Sequence, residues 1–224
     1  MPDIYRSLRA FLRPSKTVPV TPWTAISPWS ISVRRFAILF VGLFLFGIGD
    51  SLLIVSNIGN SPWTVLSQGV SRQLDISIGS ATLLVSLFVL ALWIPLRETP
   101  GFGTLANILI IAAAIDIGVR FIPDQEIFIL EILYVLLGIT LVGLGSALYI
   151  TCGLGSGPRD GWMTALHRRT GLPVGRVRLS IEVLVLITGW ALGGVVGLGT
   201  ALFALLIGQA VAISFGVVAR LTAR

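Results

Sequence analysis

Residues 42–62 read GLFLFGIGDSLLIVSNIGNSP, and residues 138–158 read GITLVGLGSALYITCGLGSGP. Laid over one another at an offset of 96, the two stretches keep Gly42, Gly47, Gly49, Gly59 and Pro62 as Gly138, Gly143, Gly145, Gly155 and Pro158. Glycine and proline mark backbone bends and close approaches, so their coincidence means matching backbones and not merely shared greasiness. Extended without a gap from Ile38–Val119 onto Tyr134–Phe215, the alignment holds 21 identities in 82 positions. It includes Gly79 on Gly175, and Gly101, Gly103 and Thr104 on Gly197, Gly199 and Thr200. The chain is a duplicated unit.

Its composition, 55% hydrophobic and 12% charged with a mean hydropathy of +0.95, is too apolar for an ordinary soluble surface. The fold class expected is all-α and polytopic. Six stretches suit a hydrocarbon core of about 30 Å: Phe36–Ser56, Ile78–Leu96, Phe102–Phe121, Ile127–Ile150, Leu179–Val196 and Thr200–Ala219. Three fall in each copy, so the copies are expected to be inverted repeats. Three segments are expected: a basic, proline-rich cytoplasmic extension over 1–35, repeat 1 over 36–121 and repeat 2 over 127–219. With the N-terminus inside, 14 of the 16 basic residues fall in cytoplasmic segments; Arg72 and Arg120 do not. A multi-pass plasma-membrane protein with both termini cytoplasmic is the topology this predicts. Within the extension, Ile4, Leu8, Phe11 and Leu12 share a helical face opposite Arg6, Arg9 and Arg13, which suits either a surface helix or a plain basic tail.

Each first span is followed by a break and a short helix. Asn57 to Pro62 precedes a helix expected over Pro62–Leu74, and Cys152 to Pro158 precedes one over Pro158–Thr170. Proline suits a first helical turn, and Ser61 is a good N-cap. The free N–H groups at such ends attract negative charge. Ser61, Pro62, Gly157, Pro158, Arg159 and Asp160 are therefore the candidate solute-binding residues, provided both short helices re-enter the membrane. The opposing reading lays them flat on opposite surfaces.

The run Gly155 to Gly161, with Gly175-Arg176-Val177-Arg178, Glu182, Gly193-Gly194 and Gly197 to Thr200, resembles the YczE/YitT-like group of bacterial integral membrane proteins, and its YczE branch most. The resemblance runs from about Arg35 to Phe215. It implies a polytopic plasma-membrane protein and no particular activity.

Candidate intramembrane charges are Asp50, Asp116, Arg120, Arg178 and Glu182. Each costs about 2.5–3.5 kcal/mol to insert, so each needs a partner or a purpose. Spacing of four offers ion pairs for Asp116 with Arg120 and for Arg178 with Glu182. Asp50 has no such neighbour, and its counterpart in the second copy is Ser146. Gly189 and Gly193 form a small-xxx-small pair suited to packing. Gly101 to Thr104 and Gly197 to Thr200 lack the Lys-Ser/Thr of a phosphate loop and are expected to turn and cap the third and sixth spans. One cysteine, Cys152, and one histidine, His167, offer no metal site and no nucleophile–base pair. No enzyme activity, cofactor or metal is expected. The expected function is a small-solute transporter or channel, with an anionic solute among the options. The alternative is a non-transporting membrane factor docking a cytoplasmic partner through its Arg-rich loop. The bilayer, a solute and a second copy of the chain are the expected partners, and nucleic acid is not among them.

Overall fold

Glycines decide how the two copies meet. The computed structural model describes residues 12–15 and 17–222. It is helical, with α1 (Val33–Val55), α2 (Pro62–Leu74), α3 (Ile78–Ala91), α4 (Trp93–Leu96), α5 (Phe102–Phe121), α6 (Phe128–Thr151), α7 (Pro158–Thr170), α8 (Val174–Ala191) and α9 (Leu198–Thr222). A side chain on Gly49 would start 2.7 Å from the carbonyl oxygen of Gly138, and one on Gly138 would start 2.7 Å from that of Gly49. Gly42 and Gly145 face each other in the same way. As residue numbers rise along α1 they fall along α6, so these equivalent helices cross antiparallel at backbone contact.

The remaining packing is reciprocal. Helix α1 lies on α5 as α6 lies on α9, and α2 packs on α8 as α7 packs on α3. Gly47 against Ala114 in one copy answers Gly143 against Ala210 in the other. One relation is broken: α3 packs along α5, whereas α8 scarcely touches α9.

The short helices match the expected bounds, and each packs one face against the bundle. In α2, Pro62 to Val65 and Ser67 to Gly69 are buried, and in α7 Pro158, Gly161 and Ala165 are. Gly161 faces the ring of Trp93, whose indole N–H donates to the Pro158 carbonyl at 3.0 Å.

Five helical stretches are long and apolar enough to cross a membrane: Val33–Val55, Ile78–Leu96, Phe102–Phe121, Phe128–Thr151 and Leu198–Thr222. The remaining span, expected over Leu179–Val196, is not among them. Helix α8 begins at Val174 and takes in Arg176, Arg178 and Glu182, then stops at Ala191. Of the expected glycine pair, Gly189 packs on the backbone of Leu66, whereas Gly193 has left the helix with φ +99°.

The surface helix or basic tail read from Ile4, Leu8 and Phe11 lies outside the described residues. Farther on, the extension is laid over the end of α6. Ala25 N–H donates to the Cys152 carbonyl at 2.9 Å, and the Trp23 indole N–H donates to Thr151 Oγ1 at 3.2 Å.

Candidate functional site

Helix α1 stops where Ser56 turns its hydroxyl back to the Leu53 carbonyl (2.7 Å) and Asn57 takes φ 60°. Gly59 follows with φ +122°, and its counterpart Gly155 has φ +116°, a region where a side chain is strained. Each break is held by the other copy. Gly199 N–H donates to the Ile58 carbonyl at 2.8 Å, and Gly103 N–H donates to that of Leu154, its counterpart, at 2.7 Å. Thr104 and Thr200 receive the N–H of Gly101 and Gly197 (3.1 and 3.3 Å), and Thr104 donates to the Ser156 carbonyl at 2.7 Å. The Gly-x-Gly-Thr motifs therefore cap α5 and α9, as expected, and also clasp the opposite break.

That clasp brings the starts of α2 and α7 together. Ser61 caps α2 by accepting from Thr64 N–H at 3.3 Å, and Gly157 precedes Pro158 in α7 without a side-chain cap. The Arg159 guanidinium lies 5.0 Å from the centre of the Trp63 ring. Position 63 is the counterpart of 159, so a cation–π contact joins a site to its own repeat image.

Beneath it lies a cavity of about 190 Å³. Ser61, Pro62, Gly157, Pro158, Arg159 and Asp160 all line it, so the six candidate binding residues come to one place. Arg178 and Glu182 join them from α8, paired at 2.9 Å. Tyr149 Oη donates to Asp160 Oδ2 at 2.8 Å. Apolar side chains complete the lining, among them Ile111 from α5 and Phe203, Ile207 and Val211 from α9. Two helix N-termini, two arginines and two carboxylates line it together.

Asp50 is not among the lining residues and is 1% exposed. Arg159 is the cation whose field reaches it, and Thr64 is the hydroxyl beside it. The Thr64 hydroxyl is engaged with Ser61 Oγ at 2.7 Å, and neither Asp50 oxygen meets a donor at hydrogen-bonding geometry.

Two candidates lie elsewhere. Asp116 does not pair with Arg120. Its carboxylate accepts from Ser77 Oγ and Gly79 N–H, both at 2.7 Å, because the unpaired N–H groups at the start of α3 claim it. Arg120 lies 5.9 Å from the Phe121 ring. Among the lining residues that were not singled out as site residues from sequence, Trp63, Asn107, Ser146 and Tyr149 carry polar groups. For Trp63 and Ser146 the signal was available, since they are the repeat images of Arg159 and Asp50. Among the described residues no three His, Cys, Asp or Glu side chains cluster as a metal site would require.

Comparison with known proteins places these features in a family. Residues 33–215 match the model described as "Family of unknown function (DUF6198)". The chain is 42% identical over 206 residues to an uncharacterized protein of Haemophilus influenzae, covering 92% of this chain and 94% of that one. It is 31% identical over 178 residues to the uncharacterized membrane protein YczE of Bacillus subtilis, covering 79% and 83%. With the Bacillus subtilis protein YyaS it shares 28% identity over 167 residues, covering 72% and 83%. No solved structure matches.

Proposed function

The chain belongs to the DUF6198 family, and from that premise we propose that it carries a small polar solute across the plasma membrane through the cavity between its two broken helices. One observation supports this most: the contact of Arg159 with Trp63, which puts two helix N-termini and a guanidinium over a single cavity. Half-helices whose N-termini point into a shared site near the bilayer middle are how inverted-repeat transporters hold polar substrates. At about 190 Å³ the cavity suits a small metabolite and not a lipid or peptide.

In this reading the chain makes six crossings with α8 as the fifth, both termini are cytoplasmic, and the copies are inverted. The antiparallel crossing of α1 with α6 supports that arrangement. The partners are the bilayer and the solute, with a second copy of the chain as neighbour. Solute charge follows from the site: an anionic group has Arg159 and the helix ends to meet, and a donor group has Asp160 and Glu182. The alternative of docking through the Arg-rich loop has less support. Arg168 is paired with Glu98 at 2.6 Å, and Arg169 donates to the Pro95 carbonyl at 2.8 Å, so those cations already serve the fold.

The test is counterflow in proteoliposomes made with the full chain, using radiolabelled succinate, glycine and inorganic phosphate as probes. Exchange that Arg159→Gln abolishes supports the reading. Equal exchange by wild type and Arg159→Gln sinks it.

A further inference from the structure

Equivalent helices have made different choices. At the α3–α5 seam, a side chain on Gly79 would run into the Ala112 carbonyl and the Asp116 carboxylate. At the α8–α9 seam, the counterparts Gly175 and Gly208 have nothing within 4 Å. The cavity reaches into the second copy through that looser seam, past Asp160, Met163, Arg178 and Glu182.

The repeat images of those four residues are Thr64, Ser67, Thr82 and Ser86, all 4% exposed or less. An apolar helix junction has no need of such a set. Ser67 Oγ, Thr82 Oγ1 and both oxygens of Asp50 are buried without a hydrogen-bond partner. Buried polar groups in that state are costly and ask for an explanation. Each of these side chains sits where its image faces the open cavity or, in the case of Asp50, where Ser146 lines it.

We infer that the α3–α5 seam is the second gate of the pathway, and that its opening uncovers a polar half-channel lined by Asp50, Thr64, Ser67, Thr82 and Ser86. The purpose of this gate rests on the transport reading. Its closed state is latched by Asp116, which binds the start of α3 through Ser77 Oγ and Gly79 N–H. The open seam cannot form this latch, because Ala212 and Pro173 stand at the positions of Asp116 and Ser77. One carboxylate and four hydroxyls suit a hydrated solute that brings hydrogen-bond donors, and the opposite half adds Arg159 and Arg178 for its acceptors. Opening one seam while closing the other would carry the solute past Arg159 without a continuous pore.

The test uses the full chain with Cys152→Ser, carrying a single cysteine at Thr82, Ser67 or Glu182, in liposomes of uniform orientation. An impermeant methanethiosulfonate reagent is applied from either side. Glu182→Cys is expected to react from one side, and Thr82→Cys and Ser67→Cys, more slowly, from the other. Adding Asp116→Asn is expected to speed the second pair roughly tenfold, as loss of charge-assisted hydrogen bonds to a closed state would. Ser77→Ala, which removes one of the two bonds, gives a smaller increase and stands in if Asp116→Asn fails to fold. Reaction of Thr82→Cys from the same side as Glu182→Cys overturns the inference. So does a rate that neither latch variant moves, or no reaction from either side with the latch removed. Labelling requires no solute, so this result and the counterflow result fail independently.

Discussion

The two seams, α3 with α5 and α8 with α9, are the same construction in different condition. Both join the second and third long helices of a repeat, and both begin at a glycine that the two copies share, Gly79 or Gly175. In the first, Asp116 holds the end of α3 and the polar side chains behind it are sealed. In the second, α9 stands off and the cavity runs between. The duplication kept the glycines and prolines at the bends and changed most of the other side chains, 21 of 82 aligned positions being identical. Which side of the molecule is open is thus set by local chemistry laid on a symmetric frame, and not by the frame itself.

The frame breaks most easily where the copies share backbone contact. Gly49→Leu has no room, because the obstacle 2.7 Å from its first side-chain atom is the Gly138 carbonyl and not a movable side chain. A cost above about 3 kcal/mol is expected, beyond the usual range for overpacking, and size-exclusion chromatography should show little monodisperse protein. Gly208→Leu points into open space and should express normally. Equal yields would mean that the crossing of α1 and α6 is mispacked.

Arg159 comes next, since it serves both copies at once. Arg159→Gln should weaken solute binding about a hundredfold, the worth of roughly 2–3 kcal/mol of charged hydrogen bonding. Arg159→Lys keeps the charge but loses the guanidinium contact with the Trp63 ring, for an expected loss near tenfold. Binding isotherms on protein in nanodiscs separate the two. If Lys and Gln behave alike, the ring contact and not the charge matters.

The seams themselves compare through one methyl group. Gly79→Ala should destabilise by about 1–3 kcal/mol through overpacking against α5. Gly175→Ala, with no neighbour to meet, should stabilise by up to about 1 kcal/mol through helix propensity. Thermal unfolding in detergent checks both, and the same sign at both positions would erase the difference between seams.

Much of this organisation was legible before the fold. The bounds of α2 and α7 follow from proline at a first turn and the polar punctuation around it. The capping role of Thr104 and Thr200 follows from a hydroxyl three residues into a helix. What sequence hid was contact between copies. Nothing local in Gly101 to Thr104 says that it grips Leu154, or that Trp63 meets Arg159, because each is a pairing across some 50 to 100 residues. The Asp116–Arg120 pairing failed for a related reason. A helical ion pair is worth a few tenths of a kcal/mol, and the free N–H groups at the start of another helix outbid it. The start of α8 was misplaced because Arg176, Arg178 and Glu182 lower the hydropathy that locates a span.

Those last charges supply the smallest and most discriminating prediction. Arg178 and Glu182 pair at 2.9 Å with the side chains 54% and 33% exposed, so Glu182→Gln should change stability by no more than about 0.5 kcal/mol. Their repeat images, Thr82 and Ser86, are sealed. If the α8–α9 seam closes when the other opens, Glu182 must pass between an exposed and a buried setting during each cycle. An ion pair that is nearly neutral in the open state then becomes expensive to bury. Glu182→Gln removes the carboxylate and strands Arg178, so it should slow exchange several-fold while leaving the unfolding temperature almost unchanged. Counterflow rates measured beside unfolding on one preparation separate these effects. If neither stability nor exchange moves, Glu182 stays exposed throughout and the second seam does not close.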